Sequence, residues 1–131
     1  MKKTDIKNER GQTMTEFALI LPLLVVLLFG IIQFGIIFNN YVTLTDAVRA
    51  GARTGAVSRG TSNPSAACVN RVLGAAGNLD QTQLQPTVSC TSPWTPGSDV
   101  TVSASYPYNI SLLGWVVASG QLNTTMKERV E

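Results

Sequence analysis

Histidine is absent from all 131 residues. The commonest general base, proton shuttle and metal ligand is therefore missing, which leaves Ser-His-Asp, Cys-His and most zinc chemistries without their central group. Charge is also scarce: Asp, Glu, Lys and Arg make up 14% of the chain, against roughly 25% in ordinary soluble domains. The two cysteines, Cys68 and Cys90, do not form a C-x-x-C pair, so a redox or metal role has little support. Gly74-Ala75-Ala76-Gly77 lacks a following lysine and a strand-to-helix setting, which rules it out as a phosphate loop. Basic residues beyond position 11 are dispersed, whereas nucleic-acid binders concentrate them on one face. Glu128 and Glu131 are the closest approach to a carboxylate pair and read as solvated. These absences point away from an enzyme: no catalytic residue, metal site, cofactor, small-molecule substrate or nucleic-acid partner is expected.

The missing charge has an address. Residues 17–45 carry none, and in the 22 residues from 17 to 38 the single strongly polar side chain is Gln33. As a helix this run is about 33 Å long, which matches the roughly 30 Å hydrocarbon core of a bilayer. Seventeen of the 22 are Leu, Ile, Val or Phe, each favouring insertion by roughly 0.3–0.6 kcal/mol at mid-helix. A secretory signal is the alternative, but its apolar region is shorter and ends at a small-x-small cleavage site, which residues 31–38 do not offer. Lys2, Lys3, Lys7 and Arg10 precede the span, against Arg49 and Arg53 shortly after it, so the N-terminus is expected in the cytoplasm. Everything beyond Phe38 then lies outside, where a Cys68–Cys90 disulfide can persist. Closing that loop would contribute roughly 3 kcal/mol; two buried free thiols are the alternative.

From Asn39 to Val57 the pattern stays helical, with Tyr41, Leu44, Val48 and Ala52 recurring at three and four and Asp46 three residues before Arg49. Ala47, Gly51 and Gly55 form a small-x-x-x-small stripe, which lets two helices approach closely. This stretch is expected to project from the membrane as a stalk. Beyond it, Ser62-Asn63-Pro64 reads as a cap and first-turn proline opening a helix to about Gly77. Residues 83–90 read as a strand, Pro93-Trp94-Thr95-Pro96-Gly97 as a loop, and Val100, Val102, Ala104 and Tyr106 as the inner face of another strand. Leu122, Thr124, Met126, Glu128 and Val130 alternate as a last strand. Between these, the apolar stretch 110–118 is expected to form a helix packed on the sheet; an exposed patch that docks on a partner or the membrane face is the alternative. Trp94 reads as a buried plug of its loop rather than a binding anchor. The fold class is α+β: a basic segment (1–11), a transmembrane and stalk helix (12–60, apolar span 17–38) and a small extracytoplasmic head (61–131).

The junction before the span is distinctive. A basic leader ends at Gly11, and Gln12-Thr13-Met14-Thr15-Glu16 follows directly against the apolar run, with Glu16 preceding Phe17. Thr13 and Glu16 read locally as a capping box. The arrangement also resembles the processing site of type IV prepilins and pseudopilins. Further along, Ala47-Val48-Arg49-Ala50-Gly51-Ala52-Arg53, together with Arg10-Gly11-Gln12, Glu16-Phe17 and Leu21-Pro22-Leu23, resembles the TadE-like family of the tight adherence pilus system. The likeness is good over residues 10–56 and weaker in the C-terminal strand; the cysteine pair is not part of it.

That resemblance implies a pseudopilin of the bacterial inner membrane. A prepilin peptidase would cut between Gly11 and Gln12, and the formal +2 charge would leave with the leader. Glu16 would set axial register by pairing with a neighbouring subunit's N-terminal ammonium, because a charge at the edge of the hydrocarbon is costly unless paired. Ala47, Gly51 and Gly55 would serve helix packing. The implied partners are the peptidase, other pilin or pseudopilin subunits, the pilus assembly platform and membrane lipid. A head of about 70 residues is large beside the short helical subunits of this pilus class, which favours a minor component. The competing expectation is a permanently anchored, unprocessed binding module.

Overall fold

A computed structural model describes residues 6–112 and 114–131, with side-chain surroundings from residue 11 onward. Residues 1–5, which include Lys2 and Lys3 of the basic leader, and Leu113 lie outside the described residues.

Helix α1 (Ile6–Val57) runs unbroken for 52 residues, a rod about 78 Å long. Pro22 sits inside it without ending it. Because the helix is already under way at Ile6, Thr13 and Glu16 are interior positions, and the expected capping box does not form. The helix ends where Ser58 folds back: its amide donates to the Gly55 carbonyl at 3.2 Å, and its hydroxyl donates to the Thr54 carbonyl. Helix α2 (Pro64–Ala75) begins at Asn63, whose side chain accepts from the Ala66 amide, with proline at the first helical position.

The expected strand over 83–90 is corrected. Asp80 caps a short helix, α3 (Gln81–Leu84), by accepting from the Thr82 amide, and a 3-10 turn (Gln85–Thr87) continues it. Pro86 offers no amide to a strand ladder. Only β1 (Ser89–Thr91) is extended, and it pairs antiparallel with β2 (Asp99–Leu112), which pairs antiparallel with β3 (Trp115–Arg129). The order is β1-β2-β3.

The expected helix over 110–118 is corrected as well: residues 110–112 and 114–118 lie at the tip of the long β2–β3 hairpin. Gly114 takes a φ of +87° at the turn, a conformation that favours glycine. Ile110, Val116 and Val117 are β-branched and suit extended backbone. Leu112 pairs with Trp115 and Ser111 with Val116, with a register shift at Ile110/Ser111.

One face of the sheet packs on α1 and α2. Leu44, Ala47, Val48 and Ala52 of α1 are buried together with Cys68 and Val72 of α2, Leu79, Leu84, Cys90, Val100, Val102, Ala104 and Val130. Tyr41, expected on the same helical face, is exposed. Trp94 packs against this core as a plug, with its backbone at a φ of +57°, a region that costs a bulky residue energy. The Cys68–Cys90 disulfide joins α2 to β1 across 22 residues, and the Ser65 hydroxyl donates to the Cys90 carbonyl beside it. At the far end, the Glu131 amide donates to the Ala56 carbonyl at 3.2 Å, satisfying one of the acceptors that a helix C-terminus leaves open.

Strand β2 lies along α1 and runs back toward the apolar segment. Its Val100 touches Gly55, and its Ser111 carbonyl accepts from the Gln33 side chain at 3.3 Å. The two measures agree. Eleven residues of strand cover about 36 Å, and twenty-two residues of helix cover about 33 Å.

Candidate functional site

The residues singled out at the start of the apolar run lie together on the exposed N-terminal part of α1. Gly11 is helical, and a Cβ placed on it would meet nothing within 4 Å. The Gln12 side-chain amide donates to the Glu16 carboxylate at 3.2 Å. The Thr15 hydroxyl lies within hydrogen-bonding reach of the Gly11 carbonyl at 3.0 Å and the Gln12 carbonyl at 2.8 Å. The first is the carbonyl of the Gly11–Gln12 peptide bond itself, and the second belongs to the next peptide. Glu16 and Phe17 are exposed, the latter by 63%. In this arrangement a carboxylate at the mouth of an apolar helix meets a neutral amide of its own chain.

From there the helix offers apolar side chains to its surroundings on every side. Its most hydropathic 18-residue window has a mean hydropathy of 2.8, and none of it is buried within the chain. A helix of a soluble core would be covered by its own protein; among the described residues, none in this window is buried. At roughly 25 cal/mol per Å² of apolar surface, exposing such a stretch to water is prohibitive. It fits a single-pass membrane protein by length and composition.

The small-residue stripe lies where α1 meets the head. A Cβ on Gly51 would fall 2.2 Å from Val72 Cγ2 and 3.3 Å from the Cys68 carbonyl, and one on Gly55 would fall 2.9 Å from Val100 Cγ1. Ala47 is fully buried beside them. At these positions α2 and β2 of the same chain approach α1 closely. On the flank of α1, Asp46, Arg49, Ala50, Arg53, Thr54 and Arg71 line a shallow open depression, and Arg49 is engaged with Asp46 at 3.4 Å. An exposed pair of this kind contributes little, about 0–1 kcal/mol.

Residues 11–53, from the glycine of the junction to the arginine between Gly51 and Gly55, match the family model of the TadE-like protein family. The N-terminal segment is TadE-like. No curated protein and no solved structure matches the chain. The TadE-like segment takes in the junction, the whole apolar run and the helical face on which the head is built, and it stops short of the disulfide and the sheet. Together with the unburied, span-length helix it supports a membrane protein associated with the tight adherence pilus.

One feature with functional bearing escaped the sequence reading. The Gln33 contact with Ser111 joins residues 78 apart, and no local pattern announces it. The exposed tip of the hairpin answers instead to the alternative read for residues 110–118, an exposed patch, and its signal is local: residues 100–126 contain no charged side chain, and Gly114 interrupts the apolar run at its middle.

Proposed function

We propose that this protein is a minor pseudopilin of a tight adherence pilus, held in the bacterial inner membrane by residues 17–38 with its N-terminus in the cytoplasm, and processed between Gly11 and Gln12. The TadE-like match beginning at Gly11 carries this reading. Cleavage there removes four of the ten basic and two of the eight acidic residues, and leaves a new ammonium on Gln12. Glycine weakens a helix interior by about 1 kcal/mol relative to alanine, so the turn holding this bond opens more easily than its neighbours for entry into a protease site.

After cleavage, the Gln12 ammonium of one subunit pairs with Glu16 of the next. An isolated carboxylate in a bundle of apolar helices is strongly destabilising, and a paired one is tolerated. Glu16 thus fixes the axial offset between subunits, and Phe17 to Phe38 supply the packing surface. The assembly platform and other pilin or pseudopilin subunits are the partners. The head is decorative of the filament rather than its main body, as befits a minor component in surface attachment and biofilm formation.

The test is the mass and N-terminal sequence of the membrane-extracted protein, prepared with and without a prepilin peptidase. An N-terminus at Gln12 that depends on the peptidase and disappears in Gly11→Ala is the expected result. Because a Cβ at Gly11 meets nothing, that substitution leaves the packing intact and reports on recognition. Glu16→Ala should be cut normally yet fail to enter pili. A chain that keeps its leader in every preparation would overturn the reading in favour of a permanent anchor with a ligand-binding head.

A further inference from the structure

The tip of the β2–β3 hairpin has no polar face. Along most of β3 the outward side chains are polar, Gln121, Asn123, Thr125 and Lys127, while Leu122, Thr124 and Met126 turn inward and are half-buried. The alternation stops below Ser119. Trp115, Val116, Val117 and Ala118 are consecutive, apolar and exposed, the first three by 81, 64 and 66%. In an extended strand, neighbouring side chains point to opposite faces, so here both faces are apolar. A hairpin end built only to sit in water would carry charge or polar turn residues; this one has no charged residue between Asp99 and Lys127.

Its location identifies what covers it. The Gln33 side chain donates to the Ser111 carbonyl, directly before the tip. Gln33 lies five residues inside the end of the apolar run at Phe38, or about 8 Å along the helix axis. Ile32, Phe34 and Ile36 are 57, 68 and 52% exposed within about 5 Å of that height. Any bilayer that covers these side chains of α1 surrounds the hairpin tip as well. The apolar surface of the tip is continuous with that of the span.

We infer that the hairpin tip, Leu112 and Trp115–Val117, is a second membrane anchor seated in the outer-leaflet interface of the bilayer that α1 crosses. The inference rests on α1 being a membrane span, as proposed above. The depth is limited by the backbone. Strand β3 is an edge strand, and its unpaired amides and carbonyls cannot be satisfied in hydrocarbon. The tip therefore sits at the boundary of headgroups and acyl chains, the level that tryptophan prefers and to which amphipathic segments sink by about 5–10 Å. Gln33 acquires a role in this arrangement. As the one strongly polar side chain of the run, it is half-buried under the hairpin and holds the tip at a fixed height on the helix.

The chain contains two tryptophans, Trp94 and Trp115, which makes the test direct. Full-length Trp94→Phe protein in vesicles of phosphatidylethanolamine and phosphatidylglycerol carries Trp115 as its single reporter. Its emission should shift to the blue relative to a solvent-exposed tryptophan. Phosphatidylcholine brominated near the headgroup end of its chains, added to these vesicles, should quench it more than lipid brominated near the chain terminus. Val116→Ser with Val117→Ser should abolish both effects. A separate chain with Phe29→Trp as sole reporter, Trp94 and Trp115 both replaced by Phe, monitors the span. If Phe29→Trp is quenched and Trp115 is not, the tip anchor is refuted while the span stands; if neither is quenched, the span reading itself fails. A Trp115 blue shift that depends on protein density and is untouched by brominated lipid would refute the anchor by showing contact with another copy. Should Trp94→Phe disturb the head, fluorotryptophan-labelled unsubstituted protein with paramagnetic lipid provides the same readout: the Trp115 resonance broadens and the Trp94 resonance does not. Equal broadening of the two, or none, overturns the inference.

Discussion

Replacing Gly51 by alanine should destabilise the head, and the sign of that effect should reverse when one methyl-bearing neighbour is removed. In the native structure the added Cβ would lie 2.2 Å from Cγ2 of Val72, a side chain with no solvent exposure, and 3.3 Å from the Cys68 carbonyl. Valine has little rotamer freedom on a helix, so α2 itself must shift away from α1. Overpacking of this kind costs about 1–3 kcal/mol. Alanine gains about 1 kcal/mol over glycine in a helix interior, leaving a net loss of about 1 kcal/mol. Val72→Ala costs about 2 kcal/mol as a large-to-small core change, but it deletes the clashing methyl. On that background Gly51→Ala should become stabilising, by up to about 1 kcal/mol, for a coupling of about 2 kcal/mol. The measurement is guanidinium unfolding of the four full-length chains in detergent, followed by near-ultraviolet circular dichroism and compared through the transition midpoints. If Gly51→Ala alone is neutral or stabilising, or costs the same in both backgrounds, the close approach of α1 and α2 at this position is refuted.

Two further outcomes follow from the head. Cys68→Ser with Cys90→Ser should lower its stability by about 3 kcal/mol through the lost constraint on the unfolded chain, visible as an earlier midpoint in the same assay and matched by unfolding of the native chain under reducing conditions. The Thr82 hydroxyl and amide, and then Gln83, donate to Asp80 and hold its carboxyl below the ordinary carboxylate range. A carboxyl lowered in the folded state adds stability that is present above its unfolded value and is lost as pH falls through its folded value. Asp80→Asn should therefore flatten the acid limb of a stability–pH curve while leaving the neutral plateau nearly unchanged, since asparagine also caps helices.

The elements that could be read from sequence are those whose cause is local. The apolar run from Phe17, the cap and proline at Asn63-Pro64, and the period-two inner face of Val100, Val102 and Ala104 each declare themselves within a few residues, and each is where it was expected. Residues 110–118 were misassigned because a short apolar stretch has no period to distinguish strand from helix, and the deciding partner is the opposite arm of the hairpin. Asp80 was overlooked because its capped helix is only one turn long and its hydrophobic pattern is brief. At the junction, Gly11, Gln12 and Glu16 were legible as a group, but the Gln12–Glu16 contact requires knowing that the helix already runs through both. The stripe of Ala47, Gly51 and Gly55 announced a close approach; its companions, Cys68, Val72 and Val100, come from elements that only the tertiary fold brings near.

Because Leu44, Val48 and Ala52 sit beneath the sheet, the head has no seam along which it could be excised. A soluble fragment starting at Ser58 would leave Val72, Val100 and Val102 facing an empty trough, and the shortest self-sufficient piece must begin near Asn40. The same seamlessness governs transplantation between relatives: a head exchanged without its length of helix arrives without the floor it folds upon. It also makes the molecule a single lever. Force applied to the helix at its N-terminal end reaches the sheet along one unbroken element, so movement of the helix and displacement of the head are one movement.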